Sequence, residues 1–323
     1  MAKKKKRRNK IDIETVNVEG ELTSNLTFEE AVQTFITEKR LHGLSHHTID
    51  YYKQKLNQFK RYYIYLGKEL EPQKVELSDI KDIMRDMSKN KKQVSTINAF
   101  LRAIRAFFNF LDEEGYLIEN PVENLKLIKE EKKVIPTFSK EQIKKLLSIP
   151  DKKTFAGYRD YVIMLFLFET GIRLRELTEM ELDDLNFKDG LAKVHGKNGE
   201  ERYVPFQETV KREINKYLNI RGKGIGTNAL WINHDNKPIS RRMVQQALQY
   251  YGKRANIKNV RVSPHTFRHT FAKMAVQNGA NIFALQSVLG HSDLDMVKRY
   301  VNLFSSEVYD LHKKFSPIQK LFE

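Results

Sequence analysis

The 323-residue chain contains no cysteine, so neither a disulfide framework nor a thiolate metal site can hold it together, and a reducing compartment, the cytoplasm, is expected. Long apolar runs are missing too. Nothing approaches the roughly 18 uninterrupted apolar residues of a membrane span, and the basic N-terminus is not followed by the apolar stretch of a secretion signal. No internal repeat is visible. Acidic residues are outnumbered, 41 Asp and Glu against 57 Lys and Arg, for a net charge of +16. An excess of that size points to a polyanionic partner, because lysine and arginine give sequence-independent affinity for phosphate. Residues 1–10 (MAKKKKRRNK) hold seven of those charges, leaving +9 on the rest, so the body of the protein is basic by itself. The tail reads as a nuclear address, as a merely solvated tail or, the favoured reading, as a disordered segment that touches DNA.

What is present is mostly helical periodicity. Thr27 and Glu30 form a capping box ahead of Phe28, Ala31, Val32, Phe35 and Ile36. Ser45 opens a second helix with the stripe Ile49, Tyr52, Leu56, Phe59, Tyr63 and Leu66, and Lys53, Lys55, Lys60 and Arg61 fall on its other faces. A shorter helix is expected after Ser78, and a longer one from Ser95 to Leu111, with Arg102 and Arg105 interleaved among Ile97, Leu101, Ile104 and Phe108. Four helices with short links read as a small bundle.

Asn120-Pro121 breaks this pattern, and Lys126 to Pro136 is charged and aperiodic, which predicts a domain boundary there. Ser139 and Gln142 make another capping box. Tyr161 to Phe168 is apolar on every side, as a buried central helix must be. Residues 185–187, 191–194 and 202–204 are strand-like, with turns at Asp189-Gly190 and Asn198-Gly199, and predict a three-stranded antiparallel sheet. Leu230-Trp231 is a further candidate strand. Ser240 caps a helix whose first turn holds Arg241 and Arg242, placed either for backbone phosphates or simply in solvent.

The densest chemistry lies in Ser263 to Tyr300. Phe267, Phe271 and Met274 share one helical stripe that Asn278-Gly279 stops. Ile282, Leu285, Val288 and Leu289 form a second amphipathic helix ended by Gly290, a residue suited to a left-handed cap. Ser292 and Asp295 then open a third helix that carries Tyr300, a residue that taken alone could be ordinary core. His265 and His269 have the i, i+4 spacing of zinc-binding helices, but Thr266, Phe267 and Arg268 stand between them and no carboxylate does, which argues against a metal.

In order along the chain, TGIRLREL (170–177), Gly196-Lys197, HTFRH (265–269) and LGH (289–291), with Tyr300 nine residues later, resemble the tyrosine recombinase (phage integrase) family, in particular its short Xer-like members. The resemblance runs from about Asn25 to Phe315. It implies a mainly α fold of two domains: a four-helix, SAM-like core-binding bundle that clamps DNA, and a mixed α/β catalytic domain with a small three-stranded antiparallel sheet. The boundaries expected are 1–24 for the tail, 25–126 for the bundle, 127–136 for the linker and 137–323 for the catalytic domain.

Resemblance also supplies roles. Tyr300 is the nucleophile, which forms a 3′-phosphotyrosyl link and needs neither ATP nor metal, so no cofactor is expected. Arg173 and Arg268 hold the nonbridging phosphate oxygens, a task that suits a planar, permanently charged fork. Lys197, at a hairpin tip, protonates the leaving 5′-oxygen. His265 transfers a proton and His291 donates to the phosphate, while His269 supports helix packing. Glu176, at i+3 from Arg173, orients that arginine or a neighbouring histidine, or else makes a plain surface ion pair. Arg175 lies about 200° round a helix from Arg173 and is assigned to the surface. DNA contacts are expected from Lys53, Arg102, Arg105, Arg241 and Arg242.

The partner implied is double-stranded DNA with inverted half-sites, bound by a homotetramer across two duplexes, with room for an accessory directionality protein. Competing readings are a type IB topoisomerase, which relaxes one duplex, and a DNA-binding protein that has lost catalysis. Against the latter, Arg173, Lys197, Arg268 and Tyr300 are all present. Only about 24 residues precede the bundle, so dependence on distant arm sites is not expected. After Tyr300, Ser305 or Ser306 caps a short helix that Pro317 ends before Ile318, Leu321 and Phe322, an apolar end that packs either on its own domain or, as in the resembling family, on a neighbouring subunit.

Overall fold

The computed structural model describes residues 26–130, 135–196, 199–222 and 226–290. Two compact units make up the chain, residues 1–132 and 133–323.

The first unit is a bundle of α1 (Phe28–Leu41), α2 (His46–Tyr65), α3 (Leu77–Lys89) and α4 (Val94–Glu113). Thr27 and Glu30 close the capping box that starts α1, and Ser45 accepts from Thr48 N to start α2. α3 begins two residues earlier than its serine suggests. Its N-cap is Glu76, whose partner Asp79 is buried and accepts from Tyr63 Oη at 2.8 Å and from Lys68, and Ser78 lies inside the helix. An acidic residue bonded to two donors outcompetes the hydroxyl.

α4 is the axis of the bundle. Its residues Phe100, Leu101, Ile104, Phe107, Phe108 and Leu111 are all fully buried, and at about 1.5–3 kcal/mol per such side chain this helix dominates the core. Phe107 meets Phe28 and Phe35 edge-on, with centroids 5.7 and 5.6 Å apart. The charged stretch after Pro121 is partly integrated here: Leu127 and Ile128 pack on this core, and the Asn98 side chain bonds both the N–H and the C=O of Ile128. Charge hid those contacts from a periodicity argument.

The second unit is built round α6 (Phe155–Thr170), preceded by α5 (Lys140–Ser148) and its Ser139–Gln142 capping box. α6 is buried on nearly every side, with α8 (Glu208–Arg221) and α10 (Pro264–Gln277) packed against it. Where α6 does carry charge, the charge is paired: Arg159 and Asp160 bridge at 2.7 Å, and Tyr251 of α9 (Arg241–Arg254) donates to Asp160 at 3.0 Å. Gly171 ends α6 in the left-handed conformation (φ 60°), and the short α7 (Leu174–Thr178) follows.

The three-stranded sheet has order β1 (Leu185–Asn186), β2 (Leu191–His195), β3 (Glu201–Pro205), antiparallel throughout, with Val194 opposite Arg202 and Ala192 opposite Val204. Leu230-Trp231 forms no strand. Isolated bridges flank it, and Trp231 is instead fully buried, stacked on Tyr217 at 5.2 Å. α11 (Ile282–Leu289) is the last described element. The expected third helix of Ser263–Tyr300 and the C-terminal segment lie outside the described residues.

Candidate active site

Gly171 turns the chain so sharply that Arg173 is not in a helix at all. It is the N-cap of α7, with extended backbone (φ −74°, ψ 151°), and the 200° argument that separated it from Arg175 therefore does not apply. Arg175 is nonetheless on the surface, because it pairs with Glu179 at 2.9 Å one turn along α7.

Glu176 is no surface partner. Its side chain is 2% exposed, and it accepts from Arg173 N at 2.7 Å and Arg173 Nη1 at 2.9 Å. A second arginine, unanticipated from the sequence, completes its coordination: Arg202 of β3 donates Nη1 to Oε1 and Nη2 to Oε2, both at 2.8 Å. Burial pushes the Glu176 carboxyl up, but the hydrogen bonds from Arg202 and from Arg173 outweigh it and hold the group below its ordinary value.

The alternation of β3 carried a signal for Arg202. Val204 is fully buried, and Arg202, two residues away, shares its face, so this guanidinium is turned inward, half-buried, toward a position that calls for an acid.

Three arginines from three elements meet at one helix end. The last carbonyls of α11 have no partner within the helix. Arg202 Nε donates to Val288 O at 2.9 Å, Arg268 Nη2 to Leu289 O at 2.7 Å, and Arg173 Nη2 to Gly290 O at 2.9 Å. Arg268 also donates Nη1 to Gly171 O at 2.8 Å, which ties α10 to the turn before Arg173. Cations at a helix C-terminus are favoured by the macrodipole, and here they are also its hydrogen-bond cap. Gly290 takes the left-handed conformation expected of it (φ 62°).

Arg173 and Arg268 are thus brought together with Glu176, at the helix end that precedes His291 in sequence. Arg268 is 4% exposed, whereas the Arg173 side chain is 37% exposed. His265 is exposed on the first turn of α10, at i−3 from Arg268 and therefore on the same helical face; His269 is half-buried. Arg241 and Arg242 are exposed in the first turn of α9. In the first unit, Arg102 is exposed, and Lys53 and Arg105 are half-buried. Lys197, His291 and Tyr300 lie outside the described residues.

Comparisons agree on kinship. Residues 136–307 match the model of the phage integrase family, and residues 36–115 match that of the phage integrase N-terminal SAM-like domain. Tyrosine recombinase XerD of Staphylococcus haemolyticus is 33% identical over 281 residues, covering 85% of this chain and 94% of its own. Among solved structures, a Tn1549 transposon integrase in complex with transposon right end DNA superposes with a TM-score of 0.69 at 21% identity, covering 84% of this chain and 94% of that one. A lambda integrase tetramer bound to a Holliday junction gives 0.71 at 16% identity, covering 86% and 78%. These two likenesses are of fold.

Proposed function

Because this chain belongs to the phage integrase family and is a tyrosine-type site-specific recombinase, we propose that Tyr300 cuts and rejoins duplex DNA through a 3′-phosphotyrosyl link, with Arg173 and Arg268 holding the scissile phosphate. The observation that carries the assignment of the arginines is their convergence at the end of α11. Two guanidiniums fixed by backbone carbonyls from separate elements are preorganised, and preorganised donors stabilise charge without reorganising when it develops. Among the described residues the Arg173 fork bonds Glu176 through Nη1 and Gly290 through Nη2, and its side chain keeps 37% exposure, which supports access by a phosphate.

In the cleavage step the phenolic oxygen of Tyr300 forms a bond to phosphorus while the bond to the 5′-oxygen breaks. The phenolic proton passes to His265, and the leaving oxygen takes a proton from Lys197. His291 donates to a nonbridging oxygen. One phosphate ester is exchanged for another, so no external energy source enters. A 5′-hydroxyl from the partner strand then attacks the phosphotyrosine, restores the phenol and yields the exchanged strand.

Assembly follows the same reading. A homotetramer works on two duplexes with inverted half-sites, passing through a Holliday junction. The first unit, spanning the expected 25–126, clamps the duplex through Lys53, Arg102 and Arg105, and Arg241 and Arg242 of the second unit bind flanking phosphates. The apolar segment after Pro317 joins subunits. The topoisomerase and inactive-binder alternatives gain nothing from kinship to recombinases.

Trapping covalent adducts on genomic fragments and sequencing the attached ends tests this reading. Protein linked to 3′ ends at one recurrent sequence is expected. Adducts scattered without sequence preference, or none, would refute it.

A further inference from the structure

We propose that Arg202 is a positioning residue for strand cleavage: by saturating the Glu176 carboxylate it aims Arg173 at the scissile phosphate. The inference rests on the recombinase reading but concerns a residue with no place in that reading's catalytic set.

A buried carboxylate with a single arginine partner draws two N–H groups on one edge of that arginine onto its two oxygens, since the bidentate pair is the strongest arrangement open to it. Here the bidentate place is taken. Arg202 faces Glu176 fork to fork, with both contacts at 2.8 Å, and its own side chain is only 15% exposed. Arg173 is left with one side-chain bond to Oε1, and its other terminal nitrogen reaches Gly290 O. Its guanidinium is therefore held at two points yet not folded down on the acid.

Arg202 is itself fixed by a third bond, Nε to Val288 O, and by the register of β3 against β2. It links the hairpin whose connecting residues include Lys197 to the helix end that precedes His291. Remove Arg202, and Glu176 keeps Arg173 as its principal cation, which pulls the charged fork toward the core.

Loss of a supporting group of this kind costs roughly tenfold to a hundredfold in activity where it has been measured at metal sites. The test is single-turnover cleavage of a nicked duplex bearing the sequence recovered by adduct trapping. Two versions are compared, one with a normal scissile phosphodiester and one with a methylphosphonate, in which a neutral methyl group replaces a charged nonbridging oxygen. A group that acts by placing positive charge matters less when that negative charge is gone.

Arg202→Ala is expected to slow the phosphodiester by roughly tenfold to a hundredfold, and the methylphosphonate by less than about threefold, with Arg173→Ala giving the same pattern as the reference. Arg202→Lys, which retains charge but not the fork, is expected to fall between wild type and Arg202→Ala, and it carries the test if the alanine variant fails to fold. Equal slowing on both substrates, or no slowing on either, would overturn the proposal. Failure of wild type to form any adduct would instead overturn the recombinase reading beneath it.

Discussion

Gly290→Ala tests the geometry at the end of α11, because two separable penalties meet there. The backbone is left-handed (φ 62°, ψ 51°), a conformation that costs an L-residue about 1–2 kcal/mol. A Cβ built on Gly290 would also lie 2.8 Å from Cζ, Nε and Nη1 of Arg202. A surface arginine would swing away at little cost, but this one is held by bonds to both oxygens of Glu176 and to Val288 O. Backing off by a few tenths of an ångström weakens those bonds without breaking all of them, and a partial loss of charge-assisted hydrogen bonds adds about 1–2 kcal/mol.

The total expected for Gly290→Ala is then about 2–4 kcal/mol. In an Arg202→Ala background the second part vanishes and about 1–2 kcal/mol remains. Urea unfolding of the intact chain, followed by tryptophan fluorescence, reads this directly: Trp231 is the sole tryptophan and is fully buried in the second unit. Additivity of the two substitutions to within about 0.5 kcal/mol would refute the contact.

If Lys197 protonates the leaving 5′-oxygen, Lys197→Ala cuts ordinary DNA roughly 10²–10⁴-fold more slowly but recovers on a substrate with sulfur at the bridging 5′ position, because a thiolate leaves without a proton; an equal defect on both substrates contradicts that role. Glu176, whose folded pKa is depressed, stabilises the protein above its unfolded pKa, and that contribution is lost as pH falls through the folded value. The stability gap between wild type and Glu176→Gln should therefore close in acid below the ordinary glutamate range. Denaturation curves that keep the gap constant down to the folded pKa and beyond would contradict the linkage.

Much of the architecture was legible because single residues carried it. Thr27 with Glu30 and Ser139 with Gln142 fixed helix starts, Gly290 fixed a helix end, and strand-like runs between glycine turns located all three strands. Where a serine hydroxyl competed with a buried acid, at Ser78 against Glu76 and Asp79, local preference gave way to tertiary bonding. At the candidate site, motif spacing pointed to Arg173, Glu176 and Arg268 but treated Arg173 as helical, an error that came from ignoring the left-handed turn one residue before Ile172. Arg202 was passed over because a strand arginine is ordinarily solvated. Only its face, shared with Val204, marks it as turned inward, and only the fold supplies the acid that makes partial burial tolerable.

The central claim, that strand cutting proceeds through the Tyr300 oxygen, is tested most directly by comparing wild type with Tyr300→Phe on the recovered target duplex, in excess chelator and without ATP. Gel shift should show equal binding of half-sites by the two proteins. Denaturing gels should show a covalent protein–DNA band for wild type and none for Tyr300→Phe, since only the phenolic oxygen has been removed. A band that persists in the phenylalanine variant, or that appears in wild type only when a divalent metal is restored, would contradict the account.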